Sequence, residues 1–495
     1  MHATIFQRVI QAVELDLGGL YFVYGPGGTG KTFLWSAVIS KLRSEGRIVL
    51  AVASSGIASL LMDGGRTAHS RFKIPINIDE FSCCEIKQNT YLAELICETS
   101  LVIWDEAPMT HRHVFEAVDR TFRDIRSKVN PNASSLPFGG LTMLLGGDFR
   151  QVLPVVPKKG REEIVGASIS KSALWENCTI FRLVENMRID KDVPPITIDG
   201  VQVPFRDWVL AVGDGTEKAY AFNDEIDGSW IKIPEEVFLR AAGDPLQTMV
   251  NEIYGQLGGS HEPTEYIRDR AILTPLNEYV EALNNEVLHR LPGDLKIYRS
   301  YDSICKGAST AADEILYPPE YLNSLKFSGL PNHELHVKVG APIMLLRNLN
   351  PKKGLCNGTR LIVTRCYQFL VEARIITGSK IGEITYIPRI SMSPADKSFP
   401  AAVKRKQFPI AVCYAMTKIK SQGQTVRNVG LYLPKPVFSH GQIYVAVSRV
   451  TSPEGLKILC VDEEEKHIGF TKNIVYKEIF DNLKCAENTV HEEHT

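Results

Sequence analysis

No apolar run in the sequence approaches the roughly 18 residues needed to cross a bilayer, and no charged-then-apolar leader opens it. An excess of one charge is missing too: 56 Lys and Arg face 57 Asp and Glu, a formal net charge of -1. That balance excludes a polycation overall, yet a neutral total can hide a basic groove. The ten cysteines are scattered, no Cys-x-x-Cys occurs, and only Cys83 and Cys84 are adjacent. This spacing gives neither a zinc site nor a disulfide framework, and the cysteines read as small buried apolar residues in a reduced compartment. No internal repeat or heptad register is present. What remains is a soluble, intracellular globular chain of 495 residues, 44% hydrophobic and 23% charged, with about three domains' worth of length.

Up to about residue 180, apolar strand-like runs at 20–24, 48–53, 101–104 and 141–145 alternate with longer helical patterns. That rhythm predicts an α/β fold with a doubly wound parallel sheet. Residues 71–90 break it and read as a small insertion. A loose stretch from 190 to about 262 carries Pro194-Pro195, Pro204 and several Gly-Asp pairs, and is expected to be variable loops with short helices. A second alternating block opens with a strand at 270–274 and a helix at 276–288. Short β-rich runs at 342–346, 360–366, 373–377 and 385–390 then predict a small β-barrel inserted at 301–409. The second block resumes over 410–485 with strands at 410–415, 430–433 and 456–461 and a helix at 441–450. Residues 486–495 have almost no apolar content and read as a frayed tail.

The sharpest chemical signal is Gly25-Pro-Gly-Gly-Thr-Gly-Lys31-Thr32, which fits G-x-x-x-x-G-K-[ST] between a strand and a helix. Gly25, Gly27, Gly28 and Gly30 let the backbone curl so that N–H groups face phosphate oxygens, and the helix dipole adds to that field. Lys31 is expected to reach the β- and γ-phosphates of ATP and Thr32 to hold Mg²⁺. The apolar run 101–104 delivers Asp105 and Glu106 to a strand end, where open α/β sheets bind ligands. There Asp105 is the candidate Mg²⁺ carboxylate and Glu106 the candidate base for the attacking water. Two adjacent carboxylates favour hydrolysis over a switch GTPase. Past the strand at 141–145, Gly146-Gly-Asp-Phe-Arg-Gln151 offers a polar side chain placed to sense a γ-phosphate.

With these blocks in place the sequence resembles the superfamily-one DNA helicases of the PIF (petite integration frequency) type, particularly the branch carried by plant Helitron elements. The further blocks that carry the resemblance are Ala53 to Ile57, Arg66-Thr-Ala-His-Ser-Arg-Phe72, Trp104-Asp-Glu-Ala-Pro-Met109 and Leu183-Val-Glu-Asn-Met-Arg188. They continue with Ile272-Leu-Thr-Pro-Leu-Asn277, Gly354-Leu-Cys-Asn-Gly-Thr-Arg360, residues 415–425 and Phe438-Ser-His-Gly-Gln-Ile-Tyr-Val-Ala-Val-Ser-Arg449. The resemblance implies two RecA-like P-loop domains, with an SH3-like barrel inserted in the second, ATP between them and single-stranded DNA across both. It implies that Gln7 reads adenine, that Gln151 is the γ-phosphate sensor, and that Arg188 and Arg449 are the arginines offered to the γ-phosphate. Ser54, Thr67, His69 and Phe72 match positions near the DNA path in the first domain, and Thr417, Lys420 and Ser421 in the second. Hydroxyls and Lys suit phosphate contact, and aromatic rings suit base stacking. Phe72 equally fits a core position, and Lys404-Arg-Lys406 fits either the groove or a solvated face.

Two departures stand out. The family's fifth block usually reads Ala-Met-Thr-Ile-Asn-Lys-Ser-Gln-Gly-Gln-Thr, where this chain has Lys418-Ile419 for Ile-Asn. The leucine-asparagine pair that precedes the family's glutamine, and the nuclease-like domain upstream in Helitron proteins, have no counterpart here. The expected function is an ATP-dependent DNA helicase that uses Mg²⁺ and moves 5′-to-3′ on single-stranded and tailed duplex DNA, as a monomer with no membrane partner. The resemblance also implies roles in repair, recombination and telomere maintenance or in Helitron biology. The nucleus is the expected location, with the mitochondrion as the alternative. One rival is a DNA-stimulated ATPase or strand-binding remnant without unwinding. A more distant one is a P-loop kinase or chaperone-like ATPase, which would ignore added DNA.

Overall fold

The strand-then-helix rhythm of the first half builds one six-stranded sheet. In the computed structural model its strands are β1 (Gly19–Tyr24), β2 (Ile48–Ala53), β3 (Arg66–Thr67), β4 (Thr99–Asp105), β5 (Thr142–Gly147) and β6 (Cys178–Arg182), in the order β3-β2-β4-β5-β1-β6. The structure describes residues 1–189, 192–222, 230–257, 263–304, 317–378, 380–394, 402–423, 426–461 and 467–484. Every pairing in this sheet is parallel. Parallel strands are covered on both faces and so read as unbroken apolar runs. Accordingly Phe22, Val52, Val102, Trp104 and Leu145 enter one core, and Val23, Ala51, Ile103 and Leu144 enter a second on the opposite face. Each Val, Leu, Ile or Phe among them contributes about 1.5–3 kcal/mol on burial.

The chain divides into two compact units: Met1–Leu239 with Ser421–Arg427 and everything from Leu433 onward, and Arg240–Lys420 with Asn428–Tyr432. By this division the expected first domain, 1–180, falls in the first unit and the expected inserted module, 301–409, in the second, while the expected second domain, 181–300 with 410–485, is divided between them. Within 71–90, helix Ala68–Phe72 ends and turns follow until helix Tyr91–Glu98. The stretch after 190 is more regular than its Pro and Gly content suggested. Its described residues include helices Phe205–Asp214 and Pro245–Tyr254 and strand Trp230–Lys232. The tail at 486–495 lies outside the described residues. No helix among the described residues is long and apolar enough to cross a membrane.

In the second unit, strand Arg270–Thr274 pairs in parallel with Ala415–Thr417 and with Asn428–Leu433. Helix Asn277–Arg290 follows the first of these. The expected single strand at 410–415 is two strands. Ile410–Val412 pairs antiparallel with Pro342–Leu345, whereas Ala415–Thr417 joins the parallel set. Asn284 makes the break: its Oδ1 accepts from the Tyr414 and Ala415 N–H groups at 2.8 Å each, and its Nδ2 donates to the Ala415 carbonyl at 3.1 Å. A side-chain amide thus satisfies the backbone where the chain changes sheets.

The β-rich block forms an antiparallel sheet that orders Ile384–Pro388, Leu370–Ile375, Arg360–Cys366, Pro342–Leu345 and Ile410–Val412. Among the described residues it does not close into a barrel. Arg360, 1% exposed, donates to the carbonyls of Ile267, Arg268 and Arg270 and so ties this sheet to the start of the unit's parallel strands. Of Lys404-Arg-Lys406 the two lysines are exposed, while Arg405 points inward. Its guanidinium meets Asp302 at 2.6 Å and donates to the carbonyls of Pro331, Leu322 and Leu325. Arg405→Ala strands a buried carboxylate and is expected to destabilise the protein by about 3–5 kcal/mol. A double variant, Arg405→Met with Asp302→Leu, is expected to lose far less, as read from denaturant midpoints.

Candidate nucleotide and strand-binding site

The phosphate loop begins where β1 ends, with the Gly25 N–H donating to the Gly147 carbonyl at 3.3 Å. Gly28 and Gly30 have φ of +91° and +78°, a region only glycine enters freely. Helix Lys31–Ser44 starts there, with half-buried Thr32 in its first turn. Lys31 Nζ folds back over the loop onto the carbonyls of Gly25 (2.6 Å) and Pro26 (3.0 Å).

The segment after β6 roofs the loop. Leu183 N–H donates to Tyr24 O at 2.8 Å and Met187 N–H to Gly28 O at 2.9 Å. Asn186 Nδ2 donates to Gly27 O at 3.3 Å, while its Oδ1 accepts from the Arg188 N–H at 2.8 Å. A Cβ added at Gly28 would lie 2.6 Å from both Arg188 Cβ and Asn186 Oδ1. Gly28→Ala therefore combines left-handed strain of about 1–2 kcal/mol with a clash against atoms close to backbone. It is expected to lower the melting temperature and weaken ATP binding together, read by thermal unfolding with and without nucleotide.

Asp105 and Glu106 stand at the end of β4. Asp105 Oδ1 accepts from the Glu106 N–H at 3.0 Å, and Glu106 is held at φ +53°, a strained left-handed position of the kind that gathers at functional sites. Burial raises the pKa of Asp105, with Lys31 and the Glu106 N–H pulling the other way. Burial and the neighbouring Asp105 charge push Glu106 up to about 7, against the pull of Lys31 and Arg449. A carboxyl poised there suits a general base.

Arg188 and Arg449 flank the same loop. A Cβ on Gly27 would lie 3.6 Å from Arg188 Nη1 and 3.9 Å from Arg449 Nη2. Arg188 Nη1 donates to the Ser448 carbonyl at 3.0 Å, and Arg449 Nε caps the helix Gln442–Val447 through the Val445 carbonyl at 2.9 Å. Burial and the adjacent Arg449 charge lower Arg188 to about 10. Arg449 is buried and Arg188 half-buried, so two guanidiniums stand beside the glycine-rich loop, an arrangement suited to an anion.

Residues 2–222 match the family described as PIF1-like helicase, and residues 320–366 match the 2B domain of DNA helicase Pif1. The chain belongs to the PIF1-like helicase family. It is 27% identical over 465 residues to the ATP-dependent DNA helicase PIF1 of Danio rerio, covering 92% of this chain and 61% of that protein. It is 26% identical over 452 residues to the human protein of the same name, covering 90% and 59%. The chain thus spans about three fifths of the length of these curated relatives. Its fold is similar to that of Bacteroides Pif1 bound to ssDNA, with a TM-score of 0.63 at 23% identity over 91% of each chain. Candida albicans Pif1 gives the same TM-score at 21% identity over 98% of each chain.

In this PIF1-like chain the loop after β5, residues 148–151, sits in a buried polar network whose other members the sequence does not single out. Tyr444, 1% exposed, donates its hydroxyl to Asp148 Oδ2 at 2.6 Å, and the Gly27 N–H lies against the same hydroxyl. Arg150 pairs with Asp214 at 2.8 Å, and His440 bridges the Phe149 carbonyl and the Tyr476 N–H. Gln151 is buried and accepts from Gln422 Nε2 at 3.2 Å. Asp148, Tyr444, Asn186 and Gln422 all lie within the quoted motif blocks. Their signal was position in a block rather than residue type.

The remaining candidates fall in different places. Gln7 is exposed on helix His2–Glu14, the helix from which His2 reaches the Thr29 carbonyl at 2.8 Å. Ser54 Oγ accepts from Trp104 Nε1 at 3.1 Å and from Thr110 Oγ1 at 2.7 Å, and its N–H donates to Asp105 O. Thr67 is half-buried at the start of helix Ala68–Phe72, and His69 is exposed on it. Phe72 is a correction. It is 0% exposed, packed against Trp104 and Phe122, and so is a core ring with no face to offer a base. Thr417 is half-buried and Lys420 exposed, both in the second unit. Ser421 is buried in the first. Lys418, one of the two residues that depart from the family pattern, is buried, 2% exposed.

Proposed function

We propose that the chain is an ATP-dependent DNA helicase that couples Mg²⁺-dependent ATP hydrolysis to 5′-to-3′ movement along single-stranded DNA and to duplex unwinding. One observation carries the reading: Lys31, Glu106, Arg188 and Arg449 converge on one glycine-rich loop in a PIF1-like chain. Relatives named ATP-dependent DNA helicase support it, as do solved Pif1 structures bound to ssDNA and in complex with ADP-AlF3 and ssDNA.

Lys31 and the loop N–H groups hold the phosphates, and Gln7 contacts the base. Glu106 takes the proton of the attacking water. Arg188, Arg449 and Gln151 face the charge that develops on the γ-phosphoryl group. Thr32 and Asp105 would hold Mg²⁺. They are hard oxygen donors, and because burial disfavours the charged form of Asp105, a dication there would favour its ionised carboxylate. No cluster of three acidic, His or Cys ligands exists among the described residues, which suits an ion held largely by substrate phosphates and water. When bound, Mg²⁺ neutralises phosphate charge. Ser54, Thr67, His69, Thr417, Lys420 and Ser421 belong to the strand path in this reading.

The motif blocks support, within the same proposal, a plant or Helitron-like branch and an SH3-like character for the antiparallel block; a monomer working in the nucleus or mitochondrion belongs to it as what the family resemblance implies. They equally support roles in DNA repair, recombination and telomere maintenance. Mg²⁺-ATP hydrolysis measured with and without single-stranded DNA tests the reading. Stimulation by DNA is expected, and a rate indifferent to DNA would overturn it. Stimulation without strand separation would favour the rival, a DNA-stimulated ATPase.

A further inference from the structure

Gln422 and Gln151 are both buried, 2% and 3% exposed, and meet through a single hydrogen bond from Gln422 Nε2 to Gln151 Oε1 at 3.2 Å. A glutamine amide has one acceptor oxygen and one donor NH₂ group. A neighbour that donates to the oxygen therefore decides which end turns the other way. With its Oε1 engaged by Gln422, Gln151 is left to present its NH₂ group, the end that attracts a phosphate oxygen. The opposite orientation would present Oε1 and repel it.

Gln422 Oε1 is buried and has no hydrogen-bond partner among the described residues. An unpaired buried acceptor costs about 1–3 kcal/mol, so the contact with Gln151 is what this side chain gains from its place. The backbone around it is fixed as well. Gly423, at φ +75°, lies against Ala58 at the start of helix Gly56–Leu60. On the other side of Gln151, the Gly441 backbone approaches so closely that an added Cβ would lie 2.3 Å from the Arg150 carbonyl oxygen. Gln422 thus belongs to the Ser421-Gln422-Gly423 turn, which continues directly from Thr417 and Lys420 in sequence, and its side chain ends on the sensor loop.

We propose that Gln422 is a positioning residue that sets the amide orientation of Gln151, so that the strand-side segment and the phosphate sensor share one hydrogen bond. The proposal rests on the helicase reading above. It makes hydrolysis sensitive to the turn at 421–423 without requiring Gln422 to touch ATP or DNA.

The test compares Gln422→Glu and Gln422→Met, each alone and with Gln151→Ala, in the full chain. ATP hydrolysis is measured at saturating oligothymidylate, strand affinity by fluorescence anisotropy, and folding by thermal melting. An ionised Glu can only accept, so it turns the Gln151 NH₂ group away from the phosphate. Met keeps the bulk and removes the bond. Gln422→Glu is expected to lower kcat by about 10²-fold, the scale of one lost donor to a developing charge. Gln422→Met is expected to lose less, KM and strand affinity are expected to stay near those of the natural chain, and neither substitution is expected to add to the loss in Gln151→Ala. Should Gln422→Glu melt early, Gln422→Met carries the comparison. An unchanged kcat in both variants, or losses that multiply fully with Gln151→Ala, would overturn the proposal while leaving the helicase reading intact. A natural chain without DNA-stimulated hydrolysis would overturn both.

Discussion

Arg449→Ala is expected to lower kcat for ATP hydrolysis by about 10³-fold or more while ATP still binds. The size follows from where the guanidinium sits. Arg449 is 2% exposed, lies beside Gly27, and its charge favours the ionised form of Glu106. In so dry a setting its charge acts on the transferring phosphoryl group with little screening. Arg188 alongside supplies a second positive charge, and burial together with Arg449 already weakens its hold on its proton. Binding should persist on Arg188, Lys31 and the loop N–H groups. Lys at 449 is not expected to restore the rate, because it lacks the planar fork that also spans Val445 O and Ser448 Oγ. Single-turnover hydrolysis beside a nucleotide-binding titration reads both quantities. Equal loss of binding and rate would reduce Arg449 to a helix cap.

Lys31→Ala is the second large effect. Hydrolysis is expected to fall by at least about 10²-fold, the usual result of deleting one donor to a developing negative charge. The cause is double. The ammonium donates to the Gly25 and Pro26 carbonyls, and it is also the group that favours the charged form of Asp105. Without it the carboxylate pair is harder to ionise, so added Mg²⁺ should restore little. A steady-state ATPase assay across Mg²⁺ concentrations checks this, and full activity would remove Lys31 from the site.

Much of the nucleotide half was legible because period and composition agree there. The apolar runs at 20–24, 48–53, 101–104 and 141–145 became β1, β2, β4 and β5 with small shifts at their ends. The phosphate loop and Asp105-Glu106 followed from the fixed chemistry of strand ends and glycine turns. The buried network of Asp148, Tyr444, Arg150 and Asp214 was not legible, since its partners lie up to 296 residues apart and no local pattern announces them. Phe72 was undecided for a related reason. Helix Ala68–Phe72 is too short to show a period, and only the packing against Trp104 and Phe122 settles its face. The split at Cys413 and Tyr414 was hidden because one apolar run feeds two sheets, and the asparagine that divides it lies some 130 residues earlier.

Strand separation of a tailed duplex is the most direct measurement. The natural chain with ATP and Mg²⁺ should release the labelled strand from a 5′-tailed duplex, and Lys31→Ala should not. Release from the 5′-tailed substrate but not from a 3′-tailed one is the expected result. No release from either, under conditions where single-stranded DNA stimulates hydrolysis, would contradict the helicase assignment.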